Sequence, residues 1–280
     1  MQEYRYQDYA NVELLDEDGQ QLFMYNSAAF VDYLRGAVDA DDWERVPDSA
    51  SDLSDDWQFF DEIFGWQVSS QYGPNKWQAT EGAAKLFNRV SQYRASTTEL
   101  RDHDERPWQV CAEGLEKYRE TLREHKRCDF ARLLERFIEF LDDDAGQRFV
   151  EGEPDRDRPP LQHVLVDEYQ DTNPLQQELY FRLLDSLEEP NIAVVGDDDQ
   201  ALYRFRGGTI ECLIRFPERV RDRFGVSVET VQLRTNYRST VDIVDWCNRY
   251  VTDYPLMQRE GARAPGKEPM IADREDTEGR

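Results

Sequence analysis

Residues 163–196 constrain the fold more than any other stretch. They hold two short apolar runs, His163-Val164-Leu165-Val166 and Ile192-Ala193-Val194-Val195, and each reads as a short buried strand. The first runs into Asp167 and the second stops at Gly196. Between them, Asn173 and Pro174 have the character of an N-cap and a first helical residue, and Gln176 holds the capping-box position. Leu175, Leu179, Leu183 and Leu187 then mark one face of a helix. Strand, helix and strand within about 35 residues predict a parallel βαβ unit, and so an α/β fold. In such folds ligands gather at the carboxyl ends of strands, where the pair Asp167-Glu168 sits. On its own that pair also fits a solvated strand end or a helix-capping acid.

The flanks are read more coarsely. The 280 residues suffice for one large domain or two small ones. Phe130, Leu133, Leu134, Phe137, Ile138 and Leu141 form an amphipathic stripe, with Asp129 as N-cap. A polar, Pro-rich stretch from Gly146 to Pro160 is expected to end that helix. Helical patterns precede it at 79–95 and 108–126, and Gly73, Pro74 and Asn75 mark a turn. The first 62 residues carry 17 acids and 3 bases, with acid runs at Asp39 to Asp42 and Asp52 to Asp56. Short helices and irregular connections are expected there. Downstream, a third strand is expected over Val226 to Leu233. A helix should follow Ser239 or Thr240, with Val244, Cys247 and Val251 on one face.

Charge narrows the function classes. Against 59 acids stand 34 bases, a net of −25, which argues against a polybasic nucleic-acid binder and against adhesion to anionic membranes. A local basic groove remains compatible with it: residues 201–240 hold eight Arg and four acids. Only five of the bases are Lys. High Asp with scarce Lys resembles proteins of salt-loving microbes, where screening at high ionic strength makes such a charge tolerable. No apolar run approaches the roughly 20 residues of a membrane helix, and the first residues lack a signal core, so no membrane association and a cytoplasmic location are expected. Four scattered Cys and three His argue against a zinc or iron–sulfur site and against a disulfide scaffold.

Three longer segments add a family resemblance. Residues 164–173 read V-L-V-D-E-Y-Q-D-T-N, residues 194–208 read V-V-G-D-D-D-Q-A-L-Y-R-F-R-G-G, and residues 233–240 read L-R-T-N-Y-R-S-T. In this order and spacing they resemble motifs II, III and IV of the UvrD/Rep/PcrA-type superfamily 1 DNA helicases. Cys128 to Leu134, C-D-F-A-R-L-L, resembles the helix that precedes motif II in that family. The resemblance covers about 128–250 and is positional only before that. It implies part of a RecA-like P-loop NTPase domain with a parallel sheet, plus a mainly helical N-terminal region. The expected division is 1–127 as a helical accessory region, 128–228 as the C-terminal part of the first motor domain, and 229–280 as the start of the second.

The resemblance also implies roles. Asp167 would bind Mg²⁺, and Glu168 would be the general base for ATP hydrolysis. Gln170 and Asp171 would tie the nucleotide site to neighbouring motifs. Gln200 would sense the γ-phosphate through its amide. Asp197 to Asp199 would hold the loop before it, although at least one of them is expected to be a solvated turn residue. Tyr203 and Phe205 would stack on single-stranded DNA, and Arg206 would contact its backbone. Many relatives carry Trp where this chain has Phe205, and Phe205 also suits an apolar core. Tyr237 would stack on adenine, and Arg238 would act as an arginine finger. Arg234 departs from the frequent acidic residue of the family, with no reason visible in the sequence.

No G-x-x-x-x-G-K-[ST] loop occurs in the 280 residues. The near match Gly261 to Glu268 has Glu in place of the Mg²⁺-binding Ser or Thr, and is expected to be a surface loop of the second motor domain. Motifs V and VI are absent too. The function implied is an ATP-dependent 3′-to-5′ DNA helicase acting on single-stranded DNA and duplex junctions, with repair or replication proteins as partners. The chain alone is expected to be a weak ATPase at best. The rival expectation is a non-catalytic truncated fragment that binds DNA or a protein partner.

Overall fold

A parallel strand pair, as well as helices, organises the N-terminal part of the chain. The computed structural model describes residues 11–30, 76–153, 155, 157–187, 189–200, 209–258 and 262–274. The turn expected at Gly73 to Asn75 and both acid runs lie outside these. Contacts divide the chain into two units, Met1–Leu161 with Glu178–Ser186, and Gln162–Gln177 with Leu187–Arg280.

In the first unit β1 (Glu13–Leu15) pairs parallel with β2 (Arg127–Asp129), in the register Glu13↔Arg127, Leu14↔Cys128 and Leu15↔Asp129. α1 (Glu17–Asn26) opens under an Asp16 cap that accepts from Gly19 N at 2.8 Å. α2 (Lys76–Gln92), α3 (Thr97–Arg101) and α4 (Arg106–Glu124) follow, with α2 and α4 close to their expected positions. Met24, Phe87, Leu115 and Leu122 are among the buried core residues of this unit. Phe87 and Tyr118 stack at 5.7 Å, and Phe30 meets both edge-on. The Tyr118 hydroxyl donates to buried Asp129 at 2.8 Å. The same Asp129 caps α5 (Phe130–Leu141), accepting from Arg132 N at 2.7 Å.

Two expectations for this region change. Phe130 is 56% exposed, whereas Phe140, outside the expected stripe, is buried. The helix expected to run until the stretch from Gly146 stops at Leu141, and a further helix, α6 (Asp144–Glu151), covers Gly146. The two changes share a cause. Phe149 of α6 sets its ring against Phe137 and Phe140 at 5.8 and 6.3 Å, so α5 turns that side inward. Gly146 makes the approach possible: a Cβ there would lie 2.0 Å from Phe140 O.

The predicted crossover forms, with both strands in the second unit and its helix divided between the two units. β3 (Val164–Val166), α7 (Pro174–Asp185) and β4 (Ile192–Val194) follow in order, and the strands pair parallel with Val164 opposite Ile192 and Val166 opposite Val194. Asn173 and Gln176 form the reciprocal capping box: Gln176 N donates to Asn173 Oδ1 at 2.9 Å and Asn173 N to Gln176 Oε1 at 3.0 Å. The strands are not buried on both sides, as had been expected. Val164 is buried, but Leu165 is 79% and Val195 58% exposed. Successive side chains point to opposite faces, and one face of this pair is uncovered.

α8 (Ile210–Ile214) and α9 (Phe216–Phe224) lead to β5 (Thr235–Thr240), α10 (Val241–Asp253) and β6 (Ile271–Arg274). No strand forms over Val226 to Leu233. β6 pairs parallel with β5 further on, Thr235 opposite Ile271, so the earlier residues lack a ladder partner and Leu233 is 86% exposed. On α10, Val244 is buried while Cys247 and Val251 are half-buried. No described helix is long and apolar enough to cross a membrane.

Candidate functional site

The acid pair follows β3 directly. Asp167 is exposed, and one of its carboxylate oxygens accepts the Glu168 backbone N–H at 2.9 Å. Glu168 adopts the left-handed conformation, φ 49° and ψ 43°, which is uncommon for a residue with a Cβ. Such a conformation persists only where the surroundings determine it. Here the next residue does so. Tyr169 is fully buried, its backbone N–H donates to Val195 O at 2.8 Å, and its ring meets Phe216 edge-on at 5.2 Å. Its hydroxyl accepts from Gln177 Nε2 at 2.8 Å. The chain is thereby anchored to β4 one residue after Glu168, and the Glu168 side chain is left exposed at the strand end.

Gln170 carries the connection onward. It is buried, and its amide faces both ways: Nε2 donates to Glu168 Oε2 at 2.6 Å, and Oε1 accepts from Asp197 N at 3.0 Å. A neutral amide suits this position because it both donates and accepts. Gly196 lets it come close, since a Cβ there would stand 2.8 Å from Gln170 Oε1. Asp197 in turn accepts from Gln200 Nε2 at 2.6 Å. Glu168, Gln170, Asp197 and Gln200 therefore form one hydrogen-bonded chain across the ends of two adjacent parallel strands. Asp171 stands apart from it. Its Oδ1 is buried without a hydrogen bond, and burial followed by the nearby Glu168 charge pushes its carboxyl above the ordinary value.

The loop Asp197 to Asp199 is not a solvated turn. Asp198 is buried, and all three carboxylates reach the Lys267 ammonium, at 2.6 Å for Asp197 and 2.8 Å for Asp199. Arg263 forms a two-pronged pair with Asp199 at 2.7 and 3.0 Å, and Ala264 N donates to Asp198 at 2.6 Å. Burial alone would raise the Asp197 carboxyl, but hydrogen bonds from Lys267 and Gln200 outweigh it and hold it below the usual carboxylate range. The segment expected to be a surface loop thus supplies two functional-site contacts that sequence reasoning missed. The only local signal was the Gly-Lys pair of an imperfect phosphate-loop pattern, which pointed to other chemistry.

Tyr237 and Arg238 stand on β5. Tyr237 is 71% exposed, and Arg238 makes no ion pair with a described residue. Within β5 the Asn236 Oδ1 accepts from Arg238 N at 2.9 Å and Ser239 N at 2.8 Å, where the register with β6 shifts between Asn236 and Thr240. No direct hydrogen bond joins this strand to the Glu168–Gln200 chain; Lys267, four residues before β6, is the link on the described structure. Arg234, unexplained by sequence, pairs with Glu268 and donates to Pro269 O at 3.3 Å, fastening the lead-in of β5 to that of β6. Tyr203, Phe205 and Arg206 lie outside the described residues.

The donor set suits a hard cation bound with phosphates. The second oxygen of Asp167 takes no hydrogen bond from a described residue, and carboxylate oxygens are the ligands Mg²⁺ prefers. The Tyr237 ring is exposed, and the Arg238 guanidinium makes no ion pair with a described residue.

Comparison with known proteins gives consistent matches. The family model for the UvrD/REP helicase N-terminal domain matches residues 11–221. DNA helicase II of Haemophilus influenzae is 32% identical over 157 residues, 55% of this chain and 19% of the relative. DNA helicase IV of Escherichia coli is 30% identical over 157 residues, covering 56% and 21% respectively. ATP-dependent DNA helicase UvrD1 of Mycobacterium tuberculosis is 40% identical over 96 residues, 32% of this chain and 12% of the relative. The matched stretch therefore spans about a fifth or less of the length of these curated relatives.

Proposed function

Because the chain belongs to the UvrD/REP helicase N-terminal domain family, we propose that it is the central part of an ATP-dependent 3′-to-5′ DNA helicase that couples hydrolysis to movement along single-stranded DNA. In this reading the β3–α7–β4 unit is part of a RecA-like motor domain, residues 128–228 complete that part, and 229–280 begin the second motor domain. Residues 1–127 are an accessory region. The substrate is single-stranded DNA next to duplex junctions, with repair or replication proteins as partners.

The hydrogen-bonded chain from Glu168 through Gln170 and Asp197 to Gln200 carries the proposal. It would join a general base, Glu168, to a phosphate-sensing amide, Gln200, through the side chains of Gln170 and Asp197. Glu168 would take the proton from the attacking water. Gln200 would exchange its bond to Asp197 for one to the γ-phosphate. Arg238 would meet charge developing on the transferred phosphoryl group, and Tyr237 would stack on the adenine. Mg²⁺, held by Asp167, would neutralise phosphate charge. Asp171 would tie the site to neighbouring motifs through groups outside the Glu168–Gln200 chain. Tyr203, Phe205 and Arg206 would hold the DNA by stacking and by backbone contact, which suits a motor that ignores sequence.

A chimera tests this reading. Residues 128–274 replace the matching segment of the H. influenzae DNA helicase II, and DNA-dependent ATP hydrolysis is measured. Turnover is expected, and Glu168→Gln should lower it by about 10²–10⁴-fold, the usual scale for loss of a general base. A folded chimera that hydrolyses ATP equally well with Glu168→Gln would overturn the assignment. A folded chimera that binds DNA without turnover would favour a binding module.

A further inference from the structure

We propose that Lys267, backed by Arg263, is a positioning residue for Gln200: it gathers the three carboxylates of the 197–199 loop and fixes the one on which the Gln200 amide rests. The inference goes beyond the roles assigned above and rests on them only in taking Gln200 as a group that meets the nucleotide.

The three carboxylates lie within 4.8 Å of one another, a grouping that is costly unless a cation neutralises it. The cation is part of the chain. Lys267 Nζ contacts Asp197, Asp198 and Asp199 together, using the three donors of an ammonium. Its side chain is 21% exposed and that of Asp198 5%, so the contact is shielded and persists better in salt than a surface pair. Burial by itself would favour a neutral lysine, yet the hydrogen bonds to the aspartates outweigh it and keep the ammonium charged. Arg263 closes the other side through its pair with Asp199, and Ala264 N holds Asp198.

The effect reaches Gln200 through Asp197. One oxygen of Asp197 accepts from Lys267 and from Asp199 N, and the other accepts from Gln200 Nε2. An ionised carboxylate is a stronger acceptor than a protonated one, so Lys267 both orients Asp197 and keeps its bond to the amide strong. Lys267 is followed at once by the residues that lead into β6, the strand paired with the one bearing Tyr237 and Arg238. The tie therefore makes the setting of Gln200 depend on the segment that leads into the partner of the strand carrying the other nucleotide-facing groups.

The test uses the 280-residue chain without nucleotide. Its ¹⁵N–¹H spectrum is recorded, with the Gln200 side-chain amide identified by its loss in Gln200→Ala. Lys267→Gln is expected to shift that amide pair and to speed exchange of the Asp199 and Gln200 backbone N–H groups by about tenfold or more, as local opening is eased. Lys267→Arg should restore both, since a guanidinium can also bind several carboxylates. If Lys267→Gln fails to fold, Arg263→Gln removes one arm only and should shift the same amide in the same direction. Unmoved Gln200 signals in a folded Lys267→Gln or Arg263→Gln variant, or no restoration by Lys267→Arg, overturn the proposal. These readings need no ATP. Their failure leaves the nucleotide assignment standing, whereas a chimera indifferent to Glu168→Gln sinks that assignment and leaves the tie measurable.

Discussion

At the scale of single residues, the site concentrates features that a fold optimised for stability alone would avoid. Glu168 holds a left-handed backbone, Gly196 accepts an amide against its Cα, and Asp171 keeps a buried oxygen without a hydrogen bond. Asp171 gives the clearest stability prediction. Burial and the nearby Glu168 charge raise its carboxyl above the ordinary aspartate value, so the folded state disfavours the charged form. The penalty is present at neutral pH, and it disappears as pH falls below that value, where the acid is protonated in both states. Asp171→Asn removes the disfavoured charge and is therefore expected to raise stability modestly near pH 7. Urea melts at pH 7 and below pH 4 check it, because the gain should vanish at the lower pH. The position of Asp167 at a strand end was legible because it follows a short apolar run directly, with Glu168 next to it, whereas Gln200, four residues beyond Gly196, was singled out only by the family resemblance. The partner of Asp197 was not: Lys267 lies 70 positions away, and no local periodicity or capping rule connects them.

At the scale of elements, local signals succeeded where the physics is local. The capping box before α7 and the Asp129 cap of α5 were readable because their donors and acceptors lie three residues apart. The capping box can be tested singly. Asn173→Ala removes the acceptor for Gln176 N and should cost about 1 kcal/mol, read as a lower unfolding midpoint with the urea slope unchanged. Elements decided by distant partners were misplaced. β1 is a strand because β2 lies beside it, although more than a hundred residues separate them in sequence. The apolar residues of Val226 to Leu233 have strand character but no ladder, while β5, with its more polar sequence T-N-Y-R-S-T, is a strand because β6 pairs with it. α6 was missed because a Gly and nearby Pro residues suggested a break, whereas Gly146 is where its backbone passes that of α5.

For the whole molecule, the net charge of −25 says little about the site, where acids are matched by Lys267 and Arg263. The more telling surface is apolar. Leu165, Val195, Val231 and Leu233 are exposed by 79, 58, 71 and 86% in the second unit. Exposed apolar groups of this size bind hydrophobic probes. The isolated chain is expected to enhance the fluorescence of such a dye without being unfolded, and Leu165→Lys should reduce the enhancement; equal fluorescence would show that the β3 face does not bind it. The division into units has a separate consequence. Each is made of two stretches of sequence, and α7 contributes its first residues to one and the remainder to the other. A single cut after Leu161 keeps all of the second unit in one piece but cannot release the first unit whole, because Glu178–Ser186 departs with the other half. Truncation at that point would therefore orphan part of the first unit's core, and two overlapping pieces that both keep α7 give each half its full set of residues.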